Sequence, residues 1–395
     1  MKPLAVYVHI PFCTIKCGYC DFNAYAGMDA LKPAHRDALL AEIDGYADRL
    51  GASEVTSIGF GGGTPGEVPP SHIADVISAV IRHATLAPGA EVTLEANPGT
   101  SNLAYFAALR DAGVTRISLG AQSFDAAHLQ FLDRIHSVDA IGASLRAARA
   151  AGIENVNLDL IYGLPGQSTD HWRDQLRHAL SLGPDHLSCY ALTVEEGTPL
   201  HARVERGDVT LPTDDELADM YQAAEAFLAE AGFQHYEISN WTRPGFESRH
   251  NMAYWTDRDY LGIGAGAHGF LDGQRYENVA HPRAYIESAT TQASPHPVAA
   301  TYELPLHTTI ADWVTLRLRL VEGFRAGEFQ DRFGRSLDDL LGPVLRTATE
   351  AGWLERDGNR VRLTPEGRLL HGELAVRIID HLERTLPVSA TAAQP

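Results

Sequence analysis

"HIPFCTIKCGYC", residues 9–20, gathers three of the chain's four cysteines into one short segment. It follows directly on "LAVYVHI" (4–10), an apolar, β-branched run with the composition of a first strand. Cys13, Cys17 and Cys20 form Cys-x3-Cys-x2-Cys, compact enough for one loop to bring three sulfurs around a single metal centre. A structural zinc site takes four protein ligands. Only Cys189, at the end of a distant apolar run, or His9, within the strand pattern, remains to supply a fourth. A 4Fe–4S cluster on three thiolates instead keeps one iron open for a substrate or cofactor. Buried structural thiols leave the crowding unexplained. The segment reads as a metal-holding loop at the carboxyl end of a first strand.

Outward from that loop the chain alternates. Strand-like runs recur at "VTSIGFGGG", "VTLEANP", "RISLGAQS", "NVNLDLIYG" and "HLSCYALT". Between the runs, helix-spaced apolar residues cover 34–50, 73–83, 103–112, 140–151, 172–182 and 216–231. Several helices close on Ala-Gly, the glycine expected at a C-cap. About six βα units predict an α/β fold with a parallel sheet, open or closed into a barrel. Polar or glycine-rich sequence ends nearly every strand: the cysteines, Gly61 to Thr64, Glu95 and Asn97, Gln122 and Ser123, Asp159 to Tyr162, and Ala191. In parallel βα structures these ends share one face, and that face carries the site. Glu95, Gln122 and Asp159 sit in otherwise apolar runs, where an unpaired charge or polar group is costly. Residues 1–235 are read as this barrel, 236–300 as barrel-closing strands and loops, and 301–385 as a helical domain. "GWLERDGNRVRLTPEG" adds a hairpin signal at Asp357-Gly358-Asn359 to that domain, which suggests a winged helix. The small, polar tail at 386–395 is expected to be disordered.

At 395 residues the chain exceeds a single core. Its net charge of -19 opposes attachment to nucleic acid or anionic lipid, so no nucleic-acid partner and at most peripheral membrane contact are expected. No segment has the apolar length of a membrane span, "MKPLAVYVHI" lacks the marks of a secretory signal, and four cysteines make a poor disulfide framework. Cytoplasmic location is the expectation.

The three-cysteine loop and the "GGGTP" run at 61–65 together resemble the radical SAM enzymes. "YVHIPFC", "LEANP", "SLGAQSFD", "LDLIYGLPGQ", "HNMAYW" and "YLGIGAGAHG" narrow the resemblance to the oxygen-independent coproporphyrinogen III oxidase-like group, and within it to the heme chaperone branch. The resemblance implies a partial (β/α)6 TIM-like barrel with a small C-terminal helical, winged-helix-like domain. It implies a 4Fe–4S cluster on Cys13, Cys17 and Cys20. It implies S-adenosylmethionine held by Tyr7, Tyr19, Gly62, Gly63, Thr64, Glu95, Gln122, Arg134, Asp159 and Ala191. In the decarboxylating branch a fourth cysteine follows the third by two residues, where this chain has Phe22, and an N-terminal extension precedes the first strand. Both departures favour the chaperone reading, in which heme, with His250 of "HNMAYW" as a candidate iron ligand, passes to an acceptor hemoprotein such as a respiratory one. An electron donor for the cluster is also implied. The competing readings are oxidative decarboxylation of coproporphyrinogen III to protoporphyrinogen IX, heme degradation by a related radical chemistry, and a zinc-dependent winged-helix regulator with Arg317, Arg319 and Arg325 as its basic residues.

Overall fold

The computed structural model describes residues 1–291 and 296–386; residues 387–395 of the expected tail lie outside them. The predicted strands form with small changes at their ends: β1 (Lys2–Ile10), β2 (Ser53–Gly62), β3 (Thr85–Ala96), β4 (Arg116–Gln122), β5 (Asn155–Tyr162) and β6 (His186–Ala191). They lie side by side in chain order, and every adjacent pair is parallel. The crossovers contain α1 (Lys32–Gly45), α2 (Pro70–His83), α3 (Leu103–Asp111), α4 (Ala126–Phe131), α5 (Val138–Ala150) and α6 (Thr169–Ser181); α7 (Asp214–Glu230) follows β6. Helices cover the outer face, so residues on both faces of the strands are buried and the runs read as continuously apolar. Leu4, Val6, Val8, Ile58, Leu94, Ile117 and Leu158 all belong to one core. The chain leaves α5 through Gly152 at φ +88°, the left-handed cap that Ala-Gly announces.

Later strands extend the sheet at both edges. Strands β7 (Gln234–Glu237) and β8 (Asn240–Thr242) add beyond β6, and β9 (Tyr260–Ile263) pairs parallel with β1. Antiparallel β10 (His268–Leu271), β11 (Gln274–Asn278) and β12 (Val298–Glu303) follow outside β9. The order is β12-β11-β10-β9-β1-β2-β3-β4-β5-β6-β8-β7, and β12 and β7 remain its two edges. Residues 236–300 were expected to close the barrel; they lengthen an open one. Strand β12 also carries the sheet past residue 300, because its ladder with β11 fixes its membership and a short run of sequence does not reveal that pairing.

A second core begins at Ile310 and centres on Trp313, whose ring meets Phe324, Phe329 and Phe333 edge-on at 5.0, 5.6 and 5.9 Å. It is built from α8 (Arg249–Trp255)'s neighbour α9 (Leu306–Leu318), with α10 (Ala326–Phe333), α11 (Leu337–Glu350) and α12 (His371–Thr385). The expected hairpin is present: β14 (Leu354–Asp357) pairs with β15 (Arg360–Leu363), and β13 (Phe324–Arg325) completes a three-stranded wing. The two units meet where the Ile238 amide donates to the Arg319 carbonyl (3.1 Å) and the Val321 amide to the Tyr236 carbonyl (3.0 Å). Among the described residues no helix is long and apolar enough to cross a membrane.

Candidate functional site

The cysteine loop is pinned at both ends. Phe12 and Cys13 pair with Tyr25 and Ala26, and the Asn23 amide donates to the carbonyls of Ala265 (3.0 Å) and Ala280 (2.9 Å). Cys13, Cys17 and Cys20 are half-buried and line one cavity of about 370 Å³ at the carboxyl ends of the strands. The Cys13 sulfur lies 3.4 Å from the Thr64 hydroxyl, and the Arg134 guanidinium donates to the Cys17 sulfur at 3.7 Å. Burial raises the thiol pKa of Cys13 and Cys20; a coordinated metal ion reverses such a shift by deprotonating the thiol. The two candidates for a fourth ligand are both committed elsewhere. Cys189 is buried in the core of β6, and His9 uses Nδ1 on the Tyr7 hydroxyl and Nε2 on the Asn23 carbonyl, both at 2.9 Å. Three thiols without a fourth ligand fit a 4Fe–4S cluster with one open iron better than structural zinc.

Opposite the thiols, the end of β2 is pressed against the loop. The Gly63 amide donates to the Ile10 carbonyl and the Thr64 amide to the Phe12 carbonyl, both at 2.8 Å. Gly62 has φ +108°, and a Cβ there would stand 2.5 Å from the His9 ring; at Gly63 it would stand 2.6 Å from the Phe12 carbonyl oxygen. Only glycine permits that approach.

The other strand ends complete the cavity. Glu95 lines it and is exposed to the solvent within it. Desolvation and the Asp159 charge raise its pKa to about 7, against the pull of Arg116 and the Gly62 amide. Asp159 accepts from the Ser118 hydroxyl (2.9 Å) and the Asn157 amide (2.7 Å), and burial raises its pKa as well. Arg134 joins the cavity wall to the loop: besides Cys17 it donates to the Gly120 carbonyl (2.8 Å) and to the side-chain oxygen Oδ1 of Asn97. Tyr19 packs on Leu132, Ile161, Leu164, Leu192 and Leu200. Gln122 and Ala191 line the same space. Two carboxylates deep in the cavity with a glycine strip beside them suit a small cationic ligand.

Twelve of the anticipated residues thus converge: the three cysteines, Tyr19, Gly62, Gly63, Thr64, Glu95, Gln122, Arg134, Asp159 and Ala191. Tyr7 does not line the cavity; it lies in the lumen beneath it, against His9. His250 stands apart as well. It is buried in the first turn of α8, its Nδ1 on the Ser57 hydroxyl (3.0 Å) and its Nε2 on the Tyr254 hydroxyl (2.8 Å). Its ring fills the space over Gly59, where a Cβ would stand 2.4 Å from Nε2. In this conformation neither nitrogen is free to bind iron. Asn97, Ser118 and Tyr190 also line the cavity; the period-2 alternation that places Ser118 with Gly120 and Gln122 on β4 was the available signal for Ser118.

A polar chain descends from the cavity through the lumen. Asn157, on Asp159, meets His186 Nδ1 at 2.6 Å; His186 Nε2 meets the Tyr236 hydroxyl at 2.8 Å; and that hydroxyl accepts from the Ser248 amide at 3.3 Å, at the start of α8. The cavity and the "HNMAYW" helix are therefore joined by buried hydrogen bonds.

Comparison with known proteins agrees with this architecture. The radical SAM superfamily model matches residues 7–179, and the HemN C-terminal domain model matches residues 304–370. Heme chaperone HemW of Mycobacterium tuberculosis H37Rv is 42% identical over 376 residues, 93% of each chain. Heme chaperone HemW of Escherichia coli K12 is 36% identical, covering 95% of this chain and 97% of its own. The solved structure of coproporphyrinogen III oxidase (HemN) from Escherichia coli, a radical SAM enzyme, superposes with a TM-score of 0.82 at 24% identity over 95% of this chain and 90% of that one, a likeness of fold. With identity of this level along nearly the whole of both chains, the protein belongs to the HemW family within the radical SAM superfamily.

Proposed function

We propose that this protein is a heme chaperone that holds a 4Fe–4S cluster on Cys13, Cys17 and Cys20, binds S-adenosylmethionine beside it, and passes heme to an acceptor hemoprotein. The observation that carries the reading is the cavity itself. At about 370 Å³ it falls at the small end of ligand pockets. That suits a ligand of the size of S-adenosylmethionine. At the mouth, Ile15 and Phe22 offer apolar surface, 48% and 59% exposed, beside the exposed charges of Lys16 and Asp21. A flat macrocycle resting there is carried rather than consumed, and Phe22 stands where the decarboxylating branch has its fourth cysteine.

Within the cavity, the glycine strip offers backbone groups to the ligand's amino and carboxylate ends, and Glu95 and Asp159 offer negative charge. Gln122, Tyr19 and Ala191 form the wall, and Arg134 fixes the distance between wall and cysteine loop. Cys13, Cys17 and Cys20 would hold the cluster with one iron left open for the ligand's amino and carboxylate groups, and when reduced it would supply one electron to the bound sulfonium compound, so an electron donor belongs to the system. The acidic surface and free thiols suit a reducing cytoplasm. Heme ligation by His250 requires Tyr254 to surrender its hydrogen bond and swing toward the pocket of about 170 Å³ that it lines with Tyr260, Phe270 and Asp312.

The test is anaerobic. Cluster-loaded protein is given coproporphyrinogen III, S-adenosylmethionine and reductant, with porphyrins and 5'-deoxyadenosine chromatographed from one tube, and a second portion is titrated with heme. Heme bound at micromolar concentration without porphyrin product is expected. Protoporphyrinogen accumulating over many turnovers, or no heme binding by cluster-loaded protein, would overturn the reading.

A further inference from the structure

We infer that Asp125, His128 and His171 form a second metal site, for a divalent transition ion of the zinc type, on the outer side of the segment that carries Gln122 and Arg134. Asp125 caps α4 with one oxygen, Oδ1, which accepts from the amides of Ala127 (2.7 Å) and His128 (3.2 Å). Its other oxygen faces His171 Nε2 at 3.4 Å. His128 is only 8% exposed, and its Nδ1 is buried with no hydrogen-bond partner. An unpaired buried nitrogen is costly unless something else fills its lone pair. The Pro165 carbonyl also lies close to the same ring.

One donor atom from each of the three side chains lies within 4.8 Å of the other two. Tetrahedral zinc, with bonds of about 2.0–2.1 Å, wants its donors about 3.3 Å apart, so no pair needs to close by more than about 1.5 Å. The two rings now stack, with centroids 5.1 Å apart and planes at 24°. Asp125 and His171 Nε2 already stand 3.4 Å apart, so contraction requires the stacked imidazoles to bring their nitrogen edges together, by rotation of His171, which is about a third exposed. His171 Nε2 faces the Gln175 amide at 3.0 Å, and the ion would replace that donor. Gln175 Oε1 stays on the Phe124 amide and the Ser123 hydroxyl, next to Gln122. Two imidazoles and a carboxylate select zinc-type ions over magnesium or calcium, which prefer oxygen-only shells. Residues 125 and 128 lie between Gln122 and Arg134, so an ion here ties that cavity wall to α6.

The probe is zinc chloride, titrated against a chromophoric chelator into cluster-loaded protein while iron content is followed. One zinc per chain at constant iron is expected, with nitrogen and oxygen ligands only at the zinc X-ray edge. Asp125→Asn keeps the helix cap, since Asn caps as well as Asp, and His171→Ala alters a partly exposed ring. Each should weaken zinc by at least about tenfold. Sulfur in the zinc shell, zinc retained by the Asp125→Asn/His171→Ala double variant, or no zinc bound at micromolar concentration overturns the site.

Discussion

Cys17 has the sharpest expected phenotype of any single residue. It sits on a loop outside the apolar core, so Cys17→Ser should lose cluster iron, measured colorimetrically, while circular dichroism and the melting curve of the cluster-free protein stay as they are. Glu95 has a pKa near 7 and faces the ligand space. A cationic ligand favours its ionised form, so S-adenosylmethionine should bind more tightly as pH rises from about 6 to 8, and Glu95→Gln should flatten that dependence in a calorimetric titration. Glu42 gives a stability effect of opposite appearance. It is 0% exposed, is bonded to the Tyr285 hydroxyl (2.6 Å), the Asn278 amide (2.7 Å) and the Gly264 amide (2.9 Å), and burial lifts its pKa to about 7. The folded chain keeps a proton that the unfolded chain releases above about pH 4.5. The associated stability is present below that pH and lost as pH rises to about 7, to the extent of about 3 kcal/mol. Urea unfolding at pH 5 and pH 8 should show a smaller difference in Glu42→Gln than in the native chain.

At the level of elements, the cysteine loop and the end of β2 form one unit, because neither has its shape without the other. Gly62→Ala forces a side chain into φ +108° and into the His9 ring. It should cost about 1–3 kcal/mol in denaturant unfolding and lower iron occupancy together, whereas substitution of the exposed Ile135 should change neither. The strand ends are legible because βα alternation assigns every carboxyl end to one face, so Glu95, Gln122 and Asp159 belong together on the sequence alone. The role of α8 was not legible. "HNMAYW" reads as a patch of ligand-type residues, but folded it plugs the lumen, with His250 over Gly59 and Tyr254 across its Nε2. His250→Ala should leave iron content unchanged and destabilise the fold by about 3 kcal/mol through the cavity and the orphaned hydroxyl of Ser57. A changed heme spectrum in the folded variant would show that the helix opens to bind heme.

Across the whole molecule, the seam between the two cores is bridged by ion pairs that include Arg275–Asp312, Arg332–Asp257 and Arg368–Glu225, and one of its bridges is buried. Glu237 is fully buried on an edge strand and accepts from Arg319 at 3.2 Å and from the Asn240 amide, while the Arg319 guanidinium also lies 4.3 Å over the Trp255 ring. Arg319→Ala strands the carboxylate and should cost about 3 kcal/mol or more. Adding Glu237→Gln should restore part of that loss, as a double-mutant cycle by thermal unfolding would measure. The seam was hidden in the sequence, where Arg319 was one basic residue among several near a wing. What the sequence by itself determined was the βα alternation, the face that gathers strand ends, the three-thiol loop, and the hairpin of the small domain. Each is set by neighbours in the chain through spacing, turn chemistry or period. The tertiary structure alone decided that the sheet stays open, that β12 belongs to it, that His250 is enclosed, and that Asp125, His128 and His171 meet. Those outcomes depend on pairing and packing between segments tens to hundreds of residues apart, where the free energy lies in contacts that no local pattern encodes.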